Sequence, residues 1–407
     1  MRFPKYHMMV PSVAVPIAFT DIVKVMERIF TQDIRVSRAK FKQGLEKTLA
    51  VKESAIFHSG MDALCALLKS LAASQPEKKE VIIPAYTCPT VLIAVENAGL
   101  VPVFADININ TFCIDPLKTV EKISNNTLAV IVAHMFGAVA DISAILKSKA
   151  GMNFSVIEDF CQTAMTDIYN PGIISQRGDF AILSFGRAKM LSTINGGAVV
   201  TYKDEYVSAV RELDVQNGIY DGGFFCDMKY IFKMSVFGLA VRPVFYCLAD
   251  KVLARKRSSD KFNLKAYRKI SSNSGLCNAQ YILGAIMLDR LKSMNGIRKK
   301  NGSYYLSHMA DKDVFLQDAI LDNYYLRFAA VFKDKRFKKK VTDVMKSSGM
   351  KLSTGDYPVL STVAGTEACT EDARFPIASL VASDILLFPT HPMFDAWEYN
   401  PFKNLER

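Results

Sequence analysis

Three places in this sequence hold side chains whose type and setting suit chemistry. The first is Lys189, inside Phe180-Ala-Ile-Leu-Ser184-Phe-Gly-Arg-Ala-Lys189-Met-Leu-Ser-Thr-Ile-Asn-Gly196-Gly197-Ala-Val-Val-Thr201: an apolar strand, a polar turn, a glycine pair and a second apolar strand. Desolvation disfavours the ammonium form of an amine, and a neutral amine is what Schiff-base chemistry needs. Taken alone, the stretch is equally a surface lysine on a hairpin. The second place is Asp159, closing Phe154-Ser-Val-Ile-Glu-Asp159 ahead of Phe-Cys-Gln162-Thr163. A carboxylate at the end of an apolar strand is costly without a cation beside it. A salt bridge to Arg177 or Arg187 would answer that, and so would a protonated pyridine nitrogen, which would also account for Gln162. The third is Ser59-Gly60-Met61-Asp62, where a strand runs through Ser-Gly directly into a helix. Free N–H groups at a helix start beside a hydroxyl make an anion site, although a plain helix cap has the same pattern.

The elements that must position these groups alternate regularly. Residues 20–50 show helical spacing; a strand precedes Ser59 and a buried helix follows over about 61–73. Strand Glu80–Pro84 leads through Ala85-Tyr86-Thr87-Cys88-Pro89 into a helix ending near Asn97. Strands over 101–107, 128–136 and 153–160 then alternate with helices over about 115–124 and 141–149. Short apolar runs separated by helical patterns predict an α/β fold with a largely parallel sheet covered on both faces. Ligands of such sheets collect at the carboxyl ends of the strands, where Pro84, His134, Asp159 and Ser184 fall. Farther on, residues 276–310 read as one long helix. Strand 324–332, helix 335–348, an extended segment 358–363, helix 376–382 and a strand after Asp384 make a second, smaller α/β unit. The division predicted is a large domain over 1–205 with an N-terminal arm, a loop and apolar helical insertion over 206–275, and a small domain over 276–407.

A chain of 407 residues is long enough for a large and a small domain. Half of the residues are hydrophobic and 22% are charged, a globular composition. The formal charge of +11 suits an anionic partner. No zinc-finger spacing or RNA-recognition signature is present, so no nucleic-acid partner is expected. Eight cysteines without paired spacing fit a reducing compartment, and the expected location is cytoplasmic. The run Met8–Phe19 superficially resembles a signal peptide, but Pro11 and Pro16 interrupt it and no small-residue cleavage site follows, so it reads as an extended arm. The glycosylation-type triplets at Asn125, Asn153 and Asn301 read as chance matches.

The segment 211–226 is glycine-rich and loop-like, and 228–253 is strongly apolar. Lys229, Lys233, Arg242 and Asp250 interrupt it and Pro243 kinks it, which excludes a membrane span of about 20 apolar residues. Followed by Arg255-Lys256-Arg257, it fits peripheral membrane contact through 228–257 at the inner face. It fits a dimer contact or an internal helical hairpin equally well.

Together these stretches resemble the DegT/StrS family of pyridoxal-phosphate-dependent sugar aminotransferases, over about residues 10–395. The resemblance rests on Ser59-Gly-Met-Asp-Ala-Leu, Val81-Ile-Ile-Pro-Ala-Tyr-Thr, Pro102-Val-Phe-Ala-Asp106, His134-Met-Phe-Gly-Ala-Val-Ala-Asp141, Val156-Ile-Glu-Asp159 and Ser184-Phe185 with Lys189 and Gly196-Gly197, in that order. Gln280 to Leu291, Gly349 to Pro358 and Leu387-Phe-Pro continue it. It implies the type-I aminotransferase fold and pyridoxal 5'-phosphate as cofactor. Lys189 would form the Schiff base and move the proton, and Asp159 would keep the pyridine nitrogen protonated, preserving the ring as an electron sink. Gln162 would sit near the phenolic oxygen; Ser59, Gly60, Met61 and Ser184 would hold the phosphate. Asn273 matches an asparagine that relatives send from a neighbouring subunit, which implies a homodimer. Relatives place an aromatic ring over the cofactor at the position of Cys88; here either Tyr86 supplies the ring or the stacking is weaker.

The implied reaction moves an amino group from glutamate to a keto group on a nucleotide-linked sugar, in amino-sugar or polysaccharide biosynthesis. Relatives that dehydrate sugars carry histidine in place of the lysine, so Lys189 argues against dehydration. The segment 228–253 departs from the family pattern. It keeps open a membrane-associated enzyme acting on a lipid-linked or envelope sugar, and a non-catalytic regulatory or scaffold protein.

Overall fold

The computed structural model describes residues 9–14, 17–163, 177–220, 222–247, 275–317, 325–353, 357–363 and 372–405. Its centre is a seven-stranded sheet of β1 (Glu53–Phe57), β2 (Glu80–Pro84), β3 (Val101–Ala105), β4 (Thr127–Ala133), β5 (Ser155–Asp159), β6 (Phe180–Ser184) and β7 (Gly197–Thr201), in the order β1-β7-β6-β5-β4-β2-β3. From β3 to β6 all neighbours are parallel, and β7 lies antiparallel between β6 and β1. Strands β4 and β7 are buried along their whole length, as their apolar runs require of a sheet covered on both faces, and β5 is equally buried although it carries Glu158 and Asp159.

Helices α1 (Phe19–Ile29) and α2 (Ile34–Leu49) precede the sheet; α3 (Gly60–Ser74), α4 (Pro89–Asn97), α5 (Pro116–Val120) and α6 (Ser143–Ser148) connect its strands. After β7 come α7 (Val207–Asn217), α8 (Gly223–Ala240) and the 32-residue α9 (Asn278–Met309). A second sheet pairs β8 (Val314–Leu316), β9 (Arg327–Phe332) and β10 (Ile385–Pro389), all antiparallel, with α10 (Lys335–Ser347), α12 (Pro376–Asp384) and α13 (Ala396–Tyr399) around it, while α11 (Leu360–Val363) packs into the core of the large sheet. The N-terminal arm is extended at Val10, which exchanges backbone hydrogen bonds with Gly349 and Lys351.

Two segments differ from the sequence expectation. The loop predicted over 211–226 is helical through Asn217, and α8 begins at Gly223. Glycines at 218, 222 and 223 confine the break to a few residues, while Asp214 locks α7 in place by accepting from Arg38, Lys42 and the Ile56 backbone. The extended segment predicted over 358–363 becomes α11, whose Leu360 N–H donates to Ala85 at the end of β2 instead of joining the second sheet.

Candidate active site

The lysine loop is held from three sides. Strands β6 and β7 pair antiparallel, so residues 185–196 must turn back on themselves. Phe185 closes the turn: its N–H donates to Gly196 and its carbonyl accepts from Thr193. From the first turn of α9, Gln280 donates Nε2 to the carbonyls of Thr193 and Asn195, at 3.0 and 3.1 Å. Each glycine of the pair has its own geometric reason. Gly196 has φ +139°, a conformation that side chains avoid. A Cβ on Gly197 would lie 2.4 Å from the Gly60 nitrogen, so β7 can pass under the start of α3 only as glycine.

Lys189 projects half-buried into a cavity of about 410 Å³, which is also lined by Ser59, Gly60, Met61, Cys88, Asp159, Gln162 and Ser184. One wall is the N-terminus of α3, where backbone N–H groups have no intrahelical acceptor. Here the Ser59 hydroxyl is committed locally: it accepts from Asp62 N–H at 3.1 Å and donates to the Asp62 carboxylate at 2.7 Å. Ser184 Oγ accepts only a long bond, 3.4 Å, from Gly186 N–H.

Asp159 ends β5 at the carboxyl edge of the sheet, 8% exposed, and accepts from Cys161 N–H at 2.9 Å. No ion pair joins it to a described residue. Arg177 lies over the Tyr202 ring and Arg187 over the Phe237 ring, and neither forms an ion pair with Asp159. Gln162 turns Nε2 to Met135 Sδ and leaves its buried Oε1 without a partner. With the amide turned over, its NH₂ would face the cavity as a donor. Burial and the neighbouring Asp159 push the Cys161 thiol well above its ordinary range, so it stays protonated beside the lysine.

The structure thus brings together Lys189, Asp159, Gln162, Ser59, Gly60, Met61, Cys88 and Ser184. Tyr86 does not join them: its ring is fully buried, edge-on to Tyr357, and does not line the cavity. The candidate aromatic substitute for Cys88 is therefore ruled out at that position. His134 also stands apart, although it follows β4 at the ligand edge. Its Nδ1 accepts from Ala140 N–H, so Nε2–H donates to Glu158, and both ring nitrogens are used. Asn273 lies outside the described residues. Sequence reading missed His58, Thr90, Cys161 and Asn195, all on the cavity wall. Their only signal was adjacency: His58 precedes Ser59, and Asn195 precedes the glycine pair. Asn195 Nδ2 donates to His58 Nε2 and to Tyr230 Oη, each at 2.9 Å.

A carboxylate with no ion pair among the described residues, an amide whose NH₂ faces the cavity once turned over, and the uncapped Gly60 and Met61 N–H groups at the start of α3 are the complement of a phosphorylated pyridine. The fold and cavity therefore define an α/β protein of the pyridoxal-phosphate-binding type. Comparison makes this particular: the model of the DegT/DnrJ/EryC1/StrS aminotransferase family matches residues 30–399, and the chain belongs to that family. Over 146 residues it is 34% identical to the dTDP-3-amino-3,6-dideoxy-alpha-D-galactopyranose transaminase of Aneurinibacillus thermoaerophilus, covering 36% of this chain and 39% of that protein. Over 326 residues it is 24% identical to the GDP-perosamine synthase of Escherichia coli O157:H7, covering 79% and 85%. The match spans about two fifths of the length of the Aneurinibacillus protein and of two further curated relatives. Among solved structures, E. coli GDP-4-keto-6-deoxy-D-mannose-3-dehydratase with bound hydrated PLP has a TM-score of 0.71 at 16% identity, covering 98% of this chain and 100% of that one. DesI with its TDP-sugar product has a TM-score of 0.67 at 19% identity, covering 99% and 93%. These two carry the fold.

Proposed function

We propose that this chain is an aminotransferase that moves an amino group from glutamate to the keto group of a nucleotide-linked sugar, leaving 2-oxoglutarate and an amino sugar. The observation that carries the reading is the meeting, in one cavity of about 410 Å³, of Lys189 with an Asp159 that forms no ion pair among the described residues. Pyridoxal phosphate, when bound, supplies an electron sink that lets nitrogen pass between the two carbon skeletons. The chain's own residues do the rest. Asp159 would hold a proton at the pyridine nitrogen, Gln162 would meet the phenolic oxygen, and the N–H groups of Gly60 and Met61 with Ser184 Oγ would hold the phosphate. Lys189 Nζ takes the proton from the carbon that bears nitrogen and returns it on the acceptor side, general acid–base work worth about 10²–10⁴-fold. Lys189 favours this reaction over sugar dehydration.

The protein works as a homodimer in this reading, with Asn273 of each chain serving the other's phosphate. The test is an absorbance spectrum of the purified protein before and after glutamate, then with a nucleotide-linked keto sugar. Glutamate should shift the bound-cofactor band, and the keto sugar should restore it. A protein that binds no pyridoxal phosphate, or a band indifferent to every amino donor, refutes the assignment. A second reading, an acceptor sugar attached to lipid, is favoured by the exposed apolar residues of α8.

A further inference from the structure

We propose that the outer face of the α1–α8 helix pair docks on an anionic lipid bilayer. Helix α8 buries Asp227, Tyr230, Ile231, Met234 and Gly238, the last against the Ile17 carbonyl. A surface helix would ordinarily turn polar residues outward. Instead the opposite stripe is Phe225, Phe232, Val236 and Leu239, with Phe225 88% and Phe232 69% exposed. Helix α1 repeats the pattern with Phe19, Val23, Met26 and Phe30, of which Phe19 is 74% and Phe30 71% exposed. The two helices pack side by side, and the Phe30 and Phe224 rings meet at 5.9 Å, joining the stripes at one end. A contiguous apolar surface along a helix about 27 Å long is a docking site, unlike the scattered exposed residues of ordinary surfaces.

Charge selects the occupant. The acidic residues Asp21 and Asp227 of these helices are buried, bonded to Arg290 and to Ala279 N–H. The charges left exposed or half-exposed on these helices and just past their ends are Lys24, Arg28, Lys229, Lys233 and Arg242 against Glu27 and Asp33, a net positive balance. In a two-fold dimer this patch would face its own copy, cation against cation. Lys229 lies inside the apolar stripe, between Phe225 and Phe232, and a dry protein interface would strip its ammonium of water. At a bilayer the lysine stem lies along the acyl boundary while the ammonium reaches headgroup phosphates. The sequence beyond the described part of this region carries Arg255-Lys256-Arg257, of the same sign. No helix among the described residues is long and apolar enough to cross a membrane, so the contact is peripheral. This surface shares no residue with the Lys189 cavity, and its test is separate from that of the transamination reading.

The experiment floats the full chain, loaded with pyridoxal phosphate, with vesicles of phosphatidylcholine alone or mixed with phosphatidylglycerol. The wild type should float with the anionic vesicles, much less with the neutral ones, and several-fold less at high salt. The double variants Phe225→Ser with Phe232→Ser, and Lys229→Glu with Lys233→Glu, should each lower partitioning by about tenfold or more. Both should keep the cofactor absorbance and melting temperature of the wild type. Wild type left at the bottom of the gradient with anionic vesicles overturns the proposal, as do variants that float like the wild type. So does a dimer that the serine variant breaks while no form binds lipid. Loss of the cofactor band in the wild type would sink the transamination reading and leave the flotation result standing.

Discussion

Two buried polar regions of this molecule are built to opposite specifications. At Asn301 on α9 the side chain is fully bonded: Nδ2 donates to the carbonyls of Thr390 and Phe394, Oδ1 accepts from Ala396 N–H, and Thr390 Oγ1 donates back to Tyr325 and Leu326; nearby, Arg298 Nε is left over. His391 beside it donates Nε2–H to Pro11 and accepts weakly from Met393 N–H. Around Lys189 bonding is incomplete: among the described residues Asp159 has no ion-pair partner, and Gln162 Oε1 has no donor. The contrast repeats within one strand. Glu158 is tied to His134 and Gly178, whereas Asp159, the next residue, opens on the cavity. Buried polar groups normally find partners; where several leave valences open around one space, that space awaits a ligand.

This contrast predicts that damage to the open region removes function and damage to the closed region removes stability. The largest effect is expected from Lys189→Ala, which should lower transamination on the order of 10⁴-fold or more and abolish the near-visible band of lysine-linked cofactor, with little change in melting temperature. Asp159→Asn should cost about 10²–10³-fold in turnover while the protein still folds and binds the phosphate. An Asp159→Asn enzyme with wild-type turnover would erase the distinction between Asp159 and its neighbour. Asn301→Ala should cost about 2–3 kcal/mol by urea unfolding, because it strands buried carbonyls, and leave the folded protein's cofactor band intact.

The smallest effect is a pH dependence. Burial lowers His391 from its usual 6.5 to about 3, and the facing Arg298 guanidinium pushes the same way. The native imidazole stays neutral while the unfolded chain takes up a proton below 6.5, so stability from this residue is full above 6.5 and declines as pH falls toward 3. Between pH 6.5 and 5 the loss should be about 2 kcal/mol, read as a falling urea midpoint. His391→Asn should flatten that part of the profile.

Much of the architecture was legible because it is written in local periodicity. The apolar runs that became β1 to β7 and the helices between them follow from spacing alone, as does the placing of Ser59-Gly60 at a helix start. The segments misread, 211–217 and 358–363, were decided by distant anchors: Asp214 to Arg38, Lys42 and β1, and Leu360 to the end of β2. Short β8 carried too few residues to show a pattern. At the site, the strand-end rule found Asp159 and Ser184 but could not separate them from His134, which sits at the same edge and is fully bonded elsewhere.

What the sequence by itself determined is which residues stand at strand ends and helix starts, since that depends on neighbours along the chain. It fixed Lys189 between two strands and Gly60 at a helix start. Only the tertiary structure decided that Tyr86 turns away to Tyr357 while Cys88 faces the cavity, that Asp159 pairs with neither Arg177 nor Arg187, and that Asn195 reaches His58 and Tyr230. These outcomes depend on contacts between residues far apart in sequence, and no local pattern encodes which of two buried polar groups will find its partner.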